Sequence, residues 1–385
     1  MIEGYSVQEE LFRSKQRSIC RGVRDSDQAP VIIKSLLVGI ATEEDVAAVK
    51  HEFDILSTLS VEGVPKPFGL ESDANGLNLI LEDRRGSRLS NYIRTSSFDL
   101  ATYLDIAIGI ADVLGEIHRQ HVVHKDINPS NVLVDSTGAV ALIDFNISTL
   151  HAEEYATVSH PTRLEGTLAY ISPEQTGRMN RPVDYRSDLY SLGVTLYELF
   201  TGELPFKTVD PMELVYCHIA VPPSLPDEIR SDLPGSVSAV ICKLLEKAPE
   251  DRYQSASGLV HDLRLCRHHL HKVPKEFQPG CQDARDRFSI PGKVYGREDG
   301  LLTLMTAFDR ASQGGVELVL VSGYSGIGKS ALVNAVQTPV TERHGYYVSG
   351  KFDQLRLTVP YSAIVAALSD LVAQLLTEPD DALMA

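Results

Sequence analysis

Two short segments carry side chains suited to moving a phosphoryl group. In His124-Lys125-Asp126-Ile127-Asn128-Pro129-Ser130-Asn131, Asp126 and Asn131 stand five residues apart on one loop. In Ile143-Asp144-Phe145-Asn146, Asp144 follows the apolar run Val140 to Ile143. Transfer from ATP needs a carboxylate that accepts or orients the acceptor's hydroxyl proton, oxygen ligands that hold magnesium on the phosphates, and a cation that anchors them. Asp126 suits the first task. Asn131 and Asp144 suit the second, because Mg2+ favours oxygen donors shared with substrate phosphates. Lys34, closing the run Val31-Ile32-Ile33-Lys34, supplies the cation, with Glu52 on the next helix as its expected ion-pair partner.

These residues lie far apart in the chain, so a fold must gather them. The first stretch alternates apolar and polar residues around turn signals, with Val31 to Ile33 and Leu77 to Leu81 as the clearest strands. Between them Val46, Val49, Phe53 and Leu56 recur at helical steps within Glu43 to Leu59. From Leu100 the pattern turns helical. Tyr103, Ala107, Ile110, Leu114 and Ile117 make one apolar face, and Leu189 to Phe200 is apolar nearly all round. Helical patterns recur at Ser236 to Leu245 and Ala256 to Leu270. A strand-rich part followed by a larger helical part predicts two lobes with a cleft between them.

With these motifs in order, about two-thirds of the chain resembles the protein kinase family. Ser172-Pro173-Glu174 resembles the end of that family's activation segment, and Asp188-Leu189-Tyr190-Ser191-Leu192-Gly193 the start of its buried central helix; Arg252 is the expected partner of Glu174. The resemblance implies an α+β, bilobal protein-kinase-like fold, with a small lobe over residues 1–83 and a large lobe over 84–265. It implies ATP and Mg2+, with Asp126, Lys34 and Glu52 as catalytic residues and Asn131 and Asp144 as metal ligands. Lys34, Leu81, Glu82 and Asp83 are the expected nucleotide-binding positions. Gly166-Thr167-Leu168-Ala169-Tyr170 resembles the segment that positions the acceptor in serine/threonine kinases, so the expected partner is a protein with a Ser or Thr hydroxyl.

The sequence departs from the family in several places. Asn128 stands where a lysine is usual, and a neutral amide cannot neutralise developing phosphoryl charge. The phosphate-covering loop should hold three glycines, but with Ile19 aligned to its valine those positions are Phe12, Ser14 and Arg17. Arg13, Lys15 and Arg17 are then candidate side-chain cations in place of backbone amides, against the plainer reading of a solvated basic hairpin. Lys125 replaces an arginine and cannot make the bidentate pair that an arginine makes with phosphate, which argues against a switch by loop phosphorylation. Asn146 replaces a glycine at a position where a left-handed backbone is expected. These departures support an alternative, a pseudokinase-like ATP-binding regulatory module.

A second nucleotide signal follows. Gly323-Tyr324-Ser325-Gly326-Ile327-Gly328-Lys329-Ser330 fits G-x-x-x-x-G-K-[ST], between an expected strand Glu317 to Val321 and an expected helix Ala331 to Val336. Its amides and helix N-terminus suit a β-phosphate, with Gly323 and Gly328 shaping the loop, Lys329 reaching the outer phosphates and Ser330 binding magnesium. An apolar strand ending in Asp or Glu does not follow. After one more strand (Tyr346 to Val348) and a helix (Tyr361 to Leu376), residues 292–385 read as the start of an α/β P-loop NTPase domain, expected to be truncated. Residues 266–291 read as a linker, rich in proline from His271 on. Thr176-Gly177-Arg178-Met179-Asn180-Arg181 and Gly350-Lys351-Phe352-Asp353-Gln354 add a resemblance to large bacterial kinases in which such a pair of domains precedes sensor and histidine-kinase modules; those downstream modules are possible partners.

A net charge of −16 argues against nucleic acid as a partner. Five scattered cysteines fit reduced thiols and a cytoplasmic address, and the acidic N-terminus does not read as a signal peptide. No apolar run reaches membrane-spanning length. Cys266 beside His268, His269 and His271 reads as a helix end rather than a metal site.

Overall fold

The computed structural model describes residues 3–37, 42–73, 76–95, 99–150, 166–179, 181–270, 277–283, 297–324, 328–334, 336, 339–340, 345–350 and 361–375. The chain divides into two compact units, residues 1–157, 184–205 and 224–286 in one, and 158–183, 206–223 and 287–385 in the other.

The first unit opens with an antiparallel sheet of five strands: β1 (Tyr5–Arg13), β2 (Arg17–Arg24), β3 (Pro30–Leu37), β4 (Pro67–Asp73) and β5 (Gly76–Glu82), in the order β1-β2-β3-β5-β4. Register sorts its side chains by face. Val31, Ile33 and Ile80, fully buried, form a core cluster with Tyr5 on one face. Ile19, Lys34 and Leu79 stand opposite one another on adjacent strands and share the other face. β3 runs three residues beyond Lys34, which therefore sits inside the strand rather than at its end. The extension pairs Ser35, Leu36 and Leu37 with Asn78, Leu77 and Gly76.

Helix α1 (Glu43–Thr58) crosses β4 and β5. Thr42 and Asp45 start it with a capping box: the Thr42 hydroxyl accepts from the Asp45 amide, and the Asp45 carboxylate accepts from Thr42 N. Its most buried residues are Glu52, Ile55 and Leu56. A charged residue in that stripe is what sequence periodicity alone does not assign.

The rest of this unit is mainly helical. Leu100–Arg119 is capped by Asp99 and buries the expected face from Tyr103 to Ile117. Tyr185–Thr201 is buried on nearly every side, as its all-round apolar pattern requires. Gly193 lets it approach Gly235–Leu244 closely, since a Cβ there would stand 2.7 Å from Leu244 Cβ. Short strands Val122–Val123, Val132–Val134 and Val140–Leu142 carry the loops that present the functional side chains. Residues 277–283, expected as linker, lie against the last helix, Ala256–His268: the Asp283 carboxylate accepts from Gln254 N and the Ser255 hydroxyl, and Gly280 N donates to Asp262.

In the second unit, Met179, Val215 and Ile219 form a small core on helix Pro211–Ala220. Helices Glu298–Ser312, Lys329–Asn334 and Ser362–Leu375 follow. The strands expected at Glu317 to Val321 and Tyr346 to Val348 are not formed among the described residues. Leu318 and Leu320 are 86% and 87% exposed. A strand exists only through a paired neighbour, and an apolar sequence alone does not supply one. No helix among the described residues is long and apolar enough to cross a membrane.

Candidate active site

Lys34 is where the separate elements meet. Its Nζ donates to Glu52 Oε1 at 2.6 Å, from α1, and to Asp144 Oδ1 at 3.1 Å. Burial alone would pull Lys34 down, but Glu52 and Asp144 outweigh it and its pKa is raised. Burial likewise opposes charge on Asp144, yet Lys34 dominates and the carboxyl stays below its ordinary value. Glu52 Oε1 also accepts from Phe145 N at 3.3 Å, and His51 Nε2 lies 2.5 Å from Ser148 O. Two adjacent residues of α1 thus hold the segment that begins at Asp144.

Asp126 and Asn131 form the second cluster. Asn131 Nδ2 donates to Asp126 Oδ2 at 2.8 Å and to Asp126 O at 3.0 Å. Ile143 N donates to Asn131 O, which brings Asp144 beside this loop. The loop hangs on Asp188, fully buried, whose carboxylate accepts from His124 N, Lys125 N and His118 Nε2. His124 accepts from Asp126 N at Nδ1, so its Nε2 carries the proton and donates to Ile143 O. Lys125 and Asp144 both hold left-handed backbone, with φ of 68° and 72°. Such residues cost about 1–3 kcal/mol each and persist where surrounding bonds fix them. Asn146, where a left-handed backbone is expected, does not adopt one, whereas Asp144 two residues earlier does.

The donor set suits magnesium. With its Nδ2 committed to Asp126, Asn131 would offer Oδ1 to such an ion, and Asp144 would add a carboxylate. Two oxygen donors suffice for an ion that completes its shell with phosphates and water.

A family model described as the protein kinase domain matches residues 5–263. The chain belongs to the protein kinase family. A second family model, the AAA ATPase domain, matches residues 293–385. Hybrid signal transduction histidine kinase G of Dictyostelium discoideum is 31% identical, covering 75% of this chain and 11% of the relative. A probable serine/threonine-protein kinase of Clostridium acetobutylicum is 29% identical over 61% of this chain and 35% of its own length. Serine/threonine-protein kinase PknB of Mycobacterium tuberculosis is 36% identical over 42% of this chain and 25% of its own. The chain thus spans between 11% and 35% of the length of these three relatives.

Against the kinase family pattern, two loops are locally rebuilt. Asn128, in the usual lysine position, is 3% exposed; its Nδ2 donates to Asp126 O and its Oδ1 accepts from Ser130 N. It braces the loop. Ser14, at a glycine position of the β1–β2 turn, accepts on its hydroxyl from Gln16 N and Arg17 N. Those amides are taken up by the turn itself.

Leu81 and Glu82 end β5, and Asp83 follows it. Leu81 is buried. Glu82 N and Asp83 N donate to Lys66 O and Pro30 O, and the carboxylates pair with Arg84 and Arg21. Arg21 was not anticipated in the sequence; its signal is its place two residues after Ile19 on the same strand. In the second motif, Lys329 Nζ donates to Gly323 O and Tyr324 O, each at 2.8 Å, and Gly328 is left-handed at φ 90°. Ser330 follows at the start of the helix. Residues 325–327 lie outside the described residues, as do 271–276, 284–296, Asn180 and Lys351 to Gln354.

Proposed function

We propose that this chain is a serine/threonine protein kinase that transfers the ATP γ-phosphate to a protein hydroxyl in signal transduction. The observation that supports it best is the joint approach of Glu52 and Asp144 to Lys34 Nζ, next to the Asp126–Asn131 pair. In this reading Lys34 anchors the phosphates and Glu52 orients Lys34. Asp126 takes or orients the hydroxyl proton, at a carboxylate whose position Asn131 fixes. Asn131 and Asp144 hold Mg2+, which supplies charge neutralisation on the phosphates. Thr167 on the acceptor-positioning segment favours serine and threonine. Residues 293–385 act as an attached nucleotide-binding module.

A second reading, an ATP-binding relay without transfer, draws on Ser14 and Asn128, whose polar atoms serve their own loops. Radiolabelled ATP, Mg2+ and a generic protein substrate separate the two. Label transfer that Asp126→Ala lowers by at least a hundredfold supports the kinase; a general base contributes on that order. ATP binding with no transfer by the unaltered chain would establish the relay instead.

A further inference from the structure

We propose that Arg17 is a phosphate-binding residue of the nucleotide site, contacting the outer phosphates of a nucleoside di- or triphosphate in place of glycine-loop amides. The inference rests on the kinase reading above.

Strand register selects Arg17 from the three cations at the turn of the hairpin, Arg13, Lys15 and Arg17. Arg17 stands opposite Leu36, and Ile19 opposite Lys34. Residues directly opposite in an antiparallel pair share a face, as do positions two apart, so Arg17 emerges on the Lys34 face of the sheet. Arg13 stands opposite Ser18 and belongs to the other face, where it pairs with Glu10 of its own strand at 2.7 Å. Lys15 lies at the exposed tip.

The chemistry around the site needs such a group. Ser14 already occupies the Gln16 and Arg17 amides, and Asn128 brings no charge to the catalytic loop. A guanidinium offers five donors in a planar fork that matches phosphate. Arg17 is also placed by more than its own strand. Its Nη2 donates to Asp45 Oδ1 at 2.7 Å, while the side chain stays 45% exposed. Asp45 is in turn fixed by the Thr42 amide and hydroxyl at the start of α1. Arg17 therefore joins the phosphate-covering hairpin to the helix that carries Glu52, and bound phosphates share or take over the guanidinium from Asp45.

The test is calorimetric titration of the full chain with ATP and with adenosine, in a Lys329→Ala background that removes the lysine of the second nucleotide motif. Arg17→Gln weakens ATP binding roughly tenfold, the scale of one charge-assisted hydrogen bond, and leaves adenosine binding unchanged. Arg17→Lys recovers part of the loss, and Asp45→Asn does not weaken ATP. Equal ATP affinity with and without Arg17, adenosine binding being intact, overturns the assignment and leaves the kinase reading standing. A parallel loss of ATP and adenosine marks a structural role and overturns it as well. ATP binding that ignores Lys34→Met overturns the kinase reading itself, and this inference with it.

Discussion

Lys34 holds two carboxylates that repel each other, and against the pull of burial they raise its pKa. The signs set a pH window. The lowered Asp144 contributes stability that is present above its unfolded value and lost as pH falls through the folded one. The raised Lys34 contributes stability that is present below its unfolded value and lost as pH rises through the folded one. The Lys34–Asp144 pair is thus intact across neutral pH. Glu52 is only 4% exposed at its side chain, so Lys34→Met leaves a buried charge unpaired and costs about 3 kcal/mol, read from the urea midpoint. Adding Glu52→Gln removes the orphan charge and restores part of that stability. A double variant no more stable than Lys34→Met alone would contradict the pairing. The grouping of Lys34, Glu52 and Asp144, and of Asp126 with Asn131, was legible in sequence because the order and spacing of these polar residues resemble the protein kinase pattern. The Arg17–Asp45 pair was not, because it depends on a hairpin register and a helix cap that meet only in three dimensions.

Elements were legible where one periodicity governs. The helix Leu100–Arg119 buries the stripe its sequence sets out. The segment 277–283 was not, since Asp283 has no apolar pattern and acts through single bonds to Gln254 N and Ser255, at the start of Ala256–His268. Gly258 makes room for it. An added Cβ would stand 2.3 Å from Asp283 Oδ1. Gly258→Ala therefore displaces Asp283, and Asp283→Ala removes both bonds. Each is expected to cost about 1 kcal/mol and to raise hydrogen exchange at residues 277–283. Burial pushes the Asp283 carboxyl up, so its contribution is present at low pH and lost as pH rises through the raised value, opposite in sign to Asp144. Unchanged exchange in both variants would show that the segment is held by something else.

At the scale of the molecule, two nucleotide motifs share one chain but not one degree of structural support. Lys34 rests in the third strand of a five-stranded sheet. Lys329 follows an apolar stretch that is unpaired among the described residues, with Leu318 and Leu320 in solvent, and its ammonium is held by the carbonyls of its own loop. A phosphate must displace both contacts before Lys329 can serve it. Apolar runs in residues 317–321 and 346–348 read as strands in sequence because periodicity records a residue's preference for burial, whereas a sheet also needs partners. The proposed kinase reading assigns label transfer to the first site, so Asp126→Ala lowers it at least a hundredfold while Lys329→Ala leaves the rate within about twofold, the size of ordinary surface effects near 0.5 kcal/mol. In equilibrium dialysis with labelled ATP, Lys34→Met removes the tighter class of site and Lys329→Ala only a weaker one. A rate that falls tenfold or more in Lys329→Ala would show instead that the second motif governs the kinase, and that nucleotide bound there is part of how the kinase is switched.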